Sequence, residues 1–123
     1  MTLSAWEETL TKAANQPLST SEGGCLLQIH PLTLTNHLIE LHDLPVVIGR
    51  DPACEICICD ASVSRRHAMI EKVDSGFSVT DLDSTNGTSV NENSVSSSLL
   101  DAGDRVQFGS YIFKFLSTNH IEL

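Results

Sequence analysis

The stretch "SVSRRHAMI", residues 62–70, places two arginines between a hydroxyl group and a histidine. Arg65 and Arg66 follow Ser64 and precede His67, and a third arginine, Arg50, ends the stretch "PVVIGR". The chain has 16 acidic side chains and only seven Lys and Arg, so three of its seven cations lie in one short region. Because a guanidinium group binds carboxylate or phosphate through paired hydrogen bonds, this concentration of arginine predicts a local anion site.

A second polar stretch, "DSTNGT" at residues 83–88, supplies the other groups that such a site needs. Thr85 offers a hydroxyl, and a turn at Gly87 frees backbone N–H groups. Together with the arginines, these donors suit a phosphate monoester dianion. The amide of Asn86 is both a donor and an acceptor, which is what gripping a peptide backbone requires.

Each of these residues also has a structural interpretation. A single arginine such as Arg50 is commonly a surface residue, and "TNG" is commonly a hairpin turn. His67 precedes the apolar residues of a predicted strand, which favours a hydrogen-bonded structural histidine over a general base. The order and spacing of the residues, taken together, favour the binding site.

Bulk composition limits the classes of function. The length of 123 residues fits one domain, and a net charge of −9 argues against general binding to nucleic acid or an anionic membrane. No apolar run approaches the roughly 18 residues that span a bilayer, and no secretory signal follows Met1. We therefore predict a cytoplasmic protein that contacts neither nucleic acid nor membrane.

The cysteines at 25, 54, 57 and 59 give a weak metal signal. In "CEICIC" a strand would place Cys57 and Cys59 on one face and the isoleucines on the other. A structural zinc site usually takes two separated pairs of ligands, and no second pair occurs. We predict reduced, partly buried thiols and no metal or cofactor, with a metal or redox role as the alternative.

From Cys25 onward the apolar residues alternate with a period of two. The predicted strands are "CLLQIHP", "HLIELHDL", "PVVIGR", "EICICD", "HAMIEKV", "FSVTDL", "TSVN", "DRVQFG" and "YIFKFLS", with "SVSSS" assigned to a loop. Turn signals separate these segments, and no long helical segments intervene. The pattern predicts an all-β antiparallel β-sandwich over residues 25–118.

The first 24 residues differ from this domain. Ser4 and Glu7 form a capping box, and Leu3, Trp6, Leu10 and Ala13 follow at helical spacing, so residues 4–14 are predicted as a short amphipathic helix. The stretch "NQPLSTSEGG" then reads as a linker. The segment is either a partly ordered tail or a helix docked on the domain or on a partner.

The motifs "IGRDPACEICICD", "ASVSRRHAMI", "SVTDLDSTNGTSVN" and "LLDAGDRVQFGSYIFKF" together resemble the forkhead-associated (FHA) domain. Over about residues 25–117 every block of that family's pattern is present in order. The resemblance implies a β-sandwich that binds phosphothreonine in a partner protein or peptide through loops at one end.

Carried over by position, the resemblance implies a role for each matching residue. Arg50 and Ser64 are expected to contact the phosphate, with Thr85 contacting it or supporting its loop. Arg65 and Asn86 are expected to hold the peptide backbone, and Asn91 to brace the loops and contact the ligand. The expected architectural residues are Gly49, His67 and Gly87. The family commonly has glycine after Asn91, and Glu92 stands there instead, which questions the geometry of that turn.

The same resemblance predicts a binding module without catalytic activity; the alternative is a structural interaction module that does not depend on phosphate. The ending "FKFLSTNHIEL", with residues 119–123 as a junction, resembles the FHA portion of bacterial proteins that carry a GGDEF-type diguanylate cyclase domain. A regulatory role in cyclic-di-GMP signalling is therefore predicted. Phosphorylation of Thr9, Thr11 or Thr20 would let the N-terminal segment of one copy bind another copy, forming a homodimer.

Overall fold

A computed structural model describes residues 23–33, 37–42, 44–74 and 76–117. All regular elements within these residues are strands. The predicted helix at residues 4–14 and the predicted junction at 119–123 lie outside the described residues. No helix long and apolar enough to cross a membrane occurs in the described part of the chain.

Eleven strands are formed within the described residues: β1 Gly24–His30, β2 Leu38–Glu40, β3 Val46–Gly49, β4 Ile56–Cys57, β5 Ala68–Val73, β6 Gly76–Asp81, β7 Thr88–Val90, β8 Asn93–Val95, β9 Ser97–Leu100, β10 Arg105–Phe108 and β11 Tyr111–Ser117. They form a six-stranded sheet of order β2-β1-β11-β10-β7-β8 and a five-stranded sheet of order β4-β3-β5-β6-β9. The short pair β3–β4 is parallel, and the remaining pairs are antiparallel. The predicted β-sandwich is confirmed.

The apolar side chains that alternate along the strands fill the space between the two sheets. In β5, Ala68 and Ile70 are fully buried while their neighbours are less so. Phe108, Phe113 and Phe115 of β10 and β11 are at most 1% exposed and form the largest part of the core from the six-stranded sheet. Burial of such side chains is worth roughly 1.5–3 kcal/mol each, which makes the core the main source of stability.

Two strands were missed by the sequence analysis. The stretch "SVSSS" was assigned to a loop, but it contributes to β8 and β9, and β9 pairs with β6 along the register Phe77↔Leu100. Only Leu100 of β9 is buried. Because a serine-rich edge strand shows no apolar alternation, its pairing is decided by the neighbouring strand and not by its own composition.

Most of the predicted strand "EICICD" does not pair with a neighbouring strand. Only Ile56 and Cys57 pair with β3, although the side chains alternate as predicted, with Ile56 and Ile58 buried and Cys57 and Cys59 exposed. The carboxylate of Glu55 accepts the N–H of Val47 at 2.8 Å. A side chain thereby satisfies a backbone donor of β3 that a longer β4 would have paired.

Strand ends bring three loops to one edge of the sandwich. The register pairs Ile48 with Ala68, and Ala68 with Asp81, so β3 ends where β5 begins and where β6 ends. In the other sheet, Thr88 of β7 pairs with Phe108 of β10 at that same edge. The loops β3–β4, β4–β5 and β6–β7 therefore lie together, as the sequence analysis requires of the candidate residues.

Gly49 is required at the end of β3 because of crowding. Its φ is not left-handed, so conformational freedom does not explain the glycine. A Cβ built on Gly49 would instead lie 2.0 Å from the carbonyl oxygen of Arg65 and 2.7 Å from its carbonyl carbon. Gly49 thus lets the β4–β5 loop pack directly against β3.

Replacing Gly49 with alanine is expected to destabilise the fold strongly. The added methyl meets backbone atoms that cannot rotate away, and overpacking of this kind costs roughly 1–3 kcal/mol or more. Gly103→Ala is the matched control, since its φ is +95° but no atom lies within 4 Å of its Cβ position, so only backbone strain of about 1–2 kcal/mol is added. Urea unfolding measures both; equal losses would show that the contact with Arg65 relaxes freely.

Candidate functional site

Backbone hydrogen bonds hold the β4–β5 loop against the end of β3. The N–H of Arg50 donates to the carbonyl of Ser64 at 2.9 Å, and the N–H of Asp51 donates to the carbonyl of Arg65 at 3.2 Å. The N–H of His67 donates to the carbonyl of Ile48 at 2.8 Å. These three hydrogen bonds place Arg50 next to Ser64 and Arg65, although Arg50 and Ser64 are 14 positions apart in the chain.

The guanidinium of Arg50 is oriented by a hydrogen bond from its Nε to the backbone. Its Nε donates to the carbonyl oxygen of Val63 at 2.9 Å, and Val63 itself is fully buried in the core. The two terminal nitrogens are not used in this contact, and the residue is exposed. Because a planar guanidinium is fixed by one such bond, its remaining N–H groups are presented as a rigid fork to a ligand.

Ser64 links the two loops that carry the polar side chains. Its Oγ accepts the backbone N–H of Thr85 at 2.9 Å. A hydroxyl that accepts in this way still has its own proton to donate. Ser64 therefore holds the β6–β7 loop in place and keeps a donor free beside Arg50.

His67 is a fully buried polar side chain that connects the same two loops. Its Nδ1 accepts the N–H of Ser64 at 3.0 Å, and its Nε2 lies 2.8 Å from the carbonyl oxygen of Gly87. An amide N–H can only donate and a carbonyl can only accept, so the proton is on Nε2 and the imidazole is neutral. The ring packs edge-on against Phe108, with centroids 5.8 Å apart. Both ring nitrogens are used internally, which leaves none to act on a ligand.

The β6–β7 loop is held by the carboxylate of Asp81. This carboxylate accepts the N–H of Ser84 at 3.1 Å, the hydroxyl of Ser84 at 2.5 Å and the hydroxyl of Thr88 at 2.7 Å. The Oγ of Ser84 in turn accepts the N–H of Gly87 at 2.9 Å. Burial alone would raise the pKa of Asp81, but the hydrogen bonds from Ser84 and Thr88 outweigh it and lower the pKa.

The turn of this loop needs two left-handed residues. Asp83 has a φ of 61° and Gly87 has a φ of 84°. Glycine reaches this conformation without strain, and aspartate tolerates it better than most residues. The turn exposes Thr85 and Asn86 on the side that faces Ser64.

Asn86 is oriented by the β4–β5 loop. Its Nδ2 donates to the carbonyl oxygen of Ser62 at 2.9 Å, and the residue is exposed. The N–H and hydroxyl of Ser62 donate to Asp60 at 2.9 and 2.5 Å, and its Oγ accepts the N–H of Ser110 at 2.9 Å. Hydrogen bonds from Ser62 lower the pKa of Asp60. The amide oxygen of Asn86 remains available to a ligand.

Sequence reasoning missed Asp60, Ser62, Asp81 and Ser84, which orient the exposed groups. Their signal is local: Asp60 and Ser62 are two residues apart, and Asp81 and Ser84 are three apart. Aspartate followed at such a spacing by a residue whose N–H it accepts is the pattern of a capped turn. Ser110 carried no comparable signal, since it is 48 residues from Ser62.

Asn91 is not brought to this cluster. It follows the last residue of β7, whereas the cluster lies at the first residue, Thr88. Its Nδ2 donates to Asp104 at 2.9 Å and its Oδ1 accepts the N–H of Arg105 at 3.0 Å. The structure therefore places Asn91 in the β7–β8 turn, at the other end of β7 from the cluster, and its contact with a ligand stays a prediction.

The doubt raised by Glu92 in place of glycine is answered by the backbone of that turn. Asn91 and Glu92 have φ values of 51° and 72°. Two consecutive left-handed residues make the tight turn that suits the twist of a two-residue hairpin. The chain accepts the strain of a non-glycine residue at Glu92, and the turn geometry is kept.

Arg50 and Arg65 line a shallow surface cleft of about 220 Å³ together with Asp51 and Pro52. Both arginines are exposed, and within the described part of the chain neither forms an ion pair with an acidic residue. Arg66 is also exposed and lies close enough to Cys54 and Glu55 to affect them electrostatically. Arg66 thus faces the β3–β4 loop, while Arg50 and Arg65 face the cleft.

All four cysteines are free, with Cys25 and Cys54 buried and Cys57 and Cys59 exposed. Burial raises the pKa of Cys25 and of Cys54. The thiol of Cys54 lies 3.2 Å from the carbonyl oxygen of Arg65. Within the described residues, no three His, Cys, Asp or Glu side chains form a group that could hold a metal ion.

The part of the chain that contains these loops matches a known protein family. The family model of the FHA domain matches residues 46–109, which include the three loops. An oxoglutarate dehydrogenase inhibitor of Corynebacterium diphtheriae is 43% identical over 68 residues, covering 55% of this chain and 48% of that protein. The glycogen accumulation regulator GarA of Mycobacterium tuberculosis is 44% identical over 69 residues, covering 56% of this chain and 43% of that protein. The chain therefore matches about half the length of these curated relatives.

A solved structure agrees over a longer part of the chain. It comes from a structural and functional analysis of phosphothreonine-dependent FHA domain interactions, and it superimposes with a TM-score of 0.69 at 28% identity. The match covers 76% of this chain and 95% of that one.

Replacing His67 with alanine is expected to lower the melting temperature. The N–H of Ser64 and the carbonyl of Gly87 lose their shared partner, and buried unsatisfied groups cost about 1–3 kcal/mol. His42→Ala is the control, because His42 is exposed and pairs with the exposed Glu40. Unchanged stability of His67→Ala in calorimetry would contradict the structural role.

Proposed function

Because this chain belongs to the FHA domain family, we propose that its three loops bind phosphothreonine in a partner protein or peptide. The observation that carries the proposal is the convergence of Arg50, Ser64, Thr85 and Asn86 at one edge of the sandwich. The side chains of Arg50 and Asn86 donate to backbone carbonyls, and the Oγ of Ser64 accepts the backbone N–H of Thr85. The outcome of binding is a phosphorylation-dependent association between proteins and not a chemical reaction.

The phosphate is proposed to sit against Arg50 and Ser64. The terminal nitrogens of Arg50 supply a charged fork, and the free hydroxyl proton of Ser64 supplies a neutral donor next to it. Thr85 presents its hydroxyl from the facing loop, whose N–H is already held by Ser64. A dianion placed here is neutralised by Arg50 and Arg65, neither of which forms an ion pair with an acidic side chain among the described residues.

The peptide backbone is proposed to lie across Asn86 and Arg65. The Nδ2 of Asn86 is engaged by Ser62, which directs the amide oxygen outward to accept a peptide N–H. Arg65 lines the cleft beside Arg50 and can donate to a peptide carbonyl or to the residues that follow the phosphothreonine. Gly49, His67 and Gly87 act through the loops and are not proposed to touch the ligand.

The acidic remainder of the chain gives the site selectivity. A net charge of −9 repels polyanions such as nucleic acid, while the local arginines attract a single phosphate. A cytoplasmic location, where protein kinases supply the ligand, belongs to the same proposal.

The larger role of the chain is proposed to be regulation of an enzyme through this binding. The two curated relatives are named as an inhibitor and a regulator, which supports a regulatory role without catalysis. Neither name supports the diguanylate cyclase domain that the C-terminal residues suggested. A homodimer formed through a phosphorylated Thr9, Thr11 or Thr20 stays a prediction.

Replacing Arg50 with alanine is expected to abolish phosphopeptide binding while the fold survives. Loss of one member of a partly desolvated charge pair costs roughly 2–5 kcal/mol, against a total near −8 kcal/mol for micromolar affinity. Arg105→Ala is the matched control, since Arg105 is exposed at the opposite end of β10. Calorimetric titration with a phosphothreonine peptide compares the two, and equal affinities would show that the phosphate site is misplaced.

The site is expected to prefer phosphothreonine to phosphoserine in an otherwise identical peptide. Both ligands present the same phosphate, so the difference lies in one methyl group, whose burial is worth about 0.8 kcal/mol, and in the stiffer χ1 of threonine. Together these give roughly a 5- to 30-fold preference, which is the usual scale for one methyl group in a pocket. Paired titrations measure the ratio, and equal affinities for the two peptides together with full phosphate dependence would mean that charge alone is recognised.

A further inference from the structure

The β6–β7 loop contains the single Asn-Gly pair of the chain, Asn86 and Gly87. Asparagine is a chemically labile residue. It is most labile before glycine, because the following backbone nitrogen can reach the side-chain carbonyl carbon with no Cβ in the way. The reaction that results is deamidation, and solvent water is its only co-reactant.

Deamidation begins when the backbone nitrogen of Gly87 attacks the Cγ of Asn86. The bond between Cγ and Nδ2 breaks, ammonia leaves with the proton of the Gly87 nitrogen, and a cyclic succinimide forms. Water then breaks a bond from the ring nitrogen to a carbonyl carbon. Breaking the bond to Cγ gives aspartate, and breaking the bond to the main-chain carbonyl carbon gives isoaspartate. In both products an O replaces an NH at residue 86.

Packing does not block this reaction. Asn86 is exposed, and no atom of the described residues lies within 4 Å of the position that a Cβ of Gly87 would occupy. Solvent water therefore reaches the pair, and protection has to come from the hydrogen bonds that hold the reacting groups.

The attacking nitrogen is held by Ser84. The N–H of Gly87 donates to the Oγ of Ser84 at 2.9 Å, and the hydroxyl of Ser84 donates to the carboxylate of Asp81 at 2.5 Å. The nitrogen must lose its proton in order to attack, and a negative charge is disfavoured so close to the carboxylate of Asp81. Ser84 thus keeps the nitrogen of Gly87 protonated and directed at its own hydroxyl.

The side-chain amide is held by the β4–β5 loop. The Nδ2 of Asn86 donates to the carbonyl oxygen of Ser62 at 2.9 Å. Ser62 is fixed in turn by the carboxylate of Asp60 and by the N–H of Ser110. Rotation of the side chain of Asn86 toward the nitrogen of Gly87 requires the bond to Ser62 to break.

We propose that Asn86 and Gly87 form a deamidation site that the folded chain suppresses through Ser84 and Ser62, and that deamidation there switches the ligand site off irreversibly. Aspartate at residue 86 loses the donor to Ser62 and brings a negative charge to a site proposed to bind a phosphate dianion. Isoaspartate also lengthens the backbone of the loop. Suppression concerns the chemistry of the loop alone, whereas the effect on ligand binding rests on the proposed function.

Ageing of the full chain in mildly alkaline buffer tests the suppression. Peptide mapping by mass spectrometry measures the fraction of residue 86 in which O has replaced NH. The folded wild type is expected to react most slowly and the urea-unfolded chain fastest. Ser84→Ala removes the acceptor of the Gly87 N–H and is expected to accelerate the reaction about two- to tenfold, the effect of one lost hydrogen bond on a rate. Ser62→Ala keeps the carbonyl but releases its loop, so a smaller acceleration is expected.

Ser98→Ala is the matched control. The hydroxyl of Ser98 on β9 donates to the carbonyl of Leu99 at 2.9 Å, and its loss is expected to leave the rate at residue 86 unchanged. Asn93 is an internal reference, because general unfolding accelerates deamidation at both asparagines and loss of a loop bond accelerates it at Asn86 alone. The proposal is overturned if residue 86 reacts equally fast in the folded and unfolded wild type, or if Ser84→Ala matches Ser98→Ala. It is also overturned if Ser84→Ala accelerates residues 86 and 93 equally.

The effect on ligand binding is measured separately by calorimetric titration. Asn86→Asp, and wild type aged until residue 86 has reacted, are expected to bind a phosphothreonine peptide at least about tenfold more weakly than the fresh chain, because like charges repel. Equal affinities of Asn86→Asp and the fresh chain would overturn the irreversible switch. A fresh chain that does not bind the peptide contradicts the proposed function instead, and the mass measurement still decides whether the fold protects the pair.

Discussion

The buried imidazole of His67 joins the two loops on which phosphate recognition depends. It accepts the N–H of Ser64 through Nδ1 and donates to the carbonyl of Gly87 through Nε2. Ser64 and Gly87 are 23 residues apart in the chain and belong to different loops. Because the ring is fully buried and packs on Phe108, the position of both loops is set by the core and not by solvent-exposed contacts.

Two acidic side chains, Asp60 and Asp81, stabilise the loops at this edge of the sandwich. Asp60 and Asp81 accept hydrogen bonds from serine, threonine and backbone groups inside the loops, and the pKa of each is lowered. A lowered pKa means that the ionised carboxylate stabilises the fold at neutral pH, and that this stability is lost as the pH falls through the folded-state value. Since these carboxylates are engaged with loop donors, the arginines remain free to bind an external anion.

Three kinds of interaction hold the binding loops of this FHA domain in place. The phenylalanine core holds the sandwich together, His67 and the backbone pairs of β3 attach the loops to it, and the carboxylates shape each loop. The exposed side chains of Arg50, Thr85 and Asn86 lie outermost; one hydrogen bond orients each of Arg50 and Asn86, and the backbone of Thr85 is held by Ser64. A site arranged in this way is preorganised, so less conformational entropy is lost when a peptide binds.

Much of this arrangement was predictable from the sequence because it is local. The alternation of apolar residues defines nine of the strands, since burial of one face imposes a period of two. Glycine at 87 and the polar turn residues around it mark a turn for reasons of backbone sterics alone. The concentration of arginine in an acidic chain pointed to an anion site without any knowledge of the fold.

Other features were decided by contacts between distant segments. The strands β8 and β9 lack an apolar pattern, and neighbouring strands determine their pairing. Gly49 is required by the carbonyl of Arg65, and Asn86 is oriented through Ser62 and Ser110, contacts that no spacing in the sequence reveals. Asn91 matched the family motif, yet the length and direction of β7 carry it away from the loops. Residue types and local order thus determined which chemistry the chain contains, whereas the packing of the two sheets decided which of those groups meet, because distances across a sandwich are set by register and by the core between the sheets.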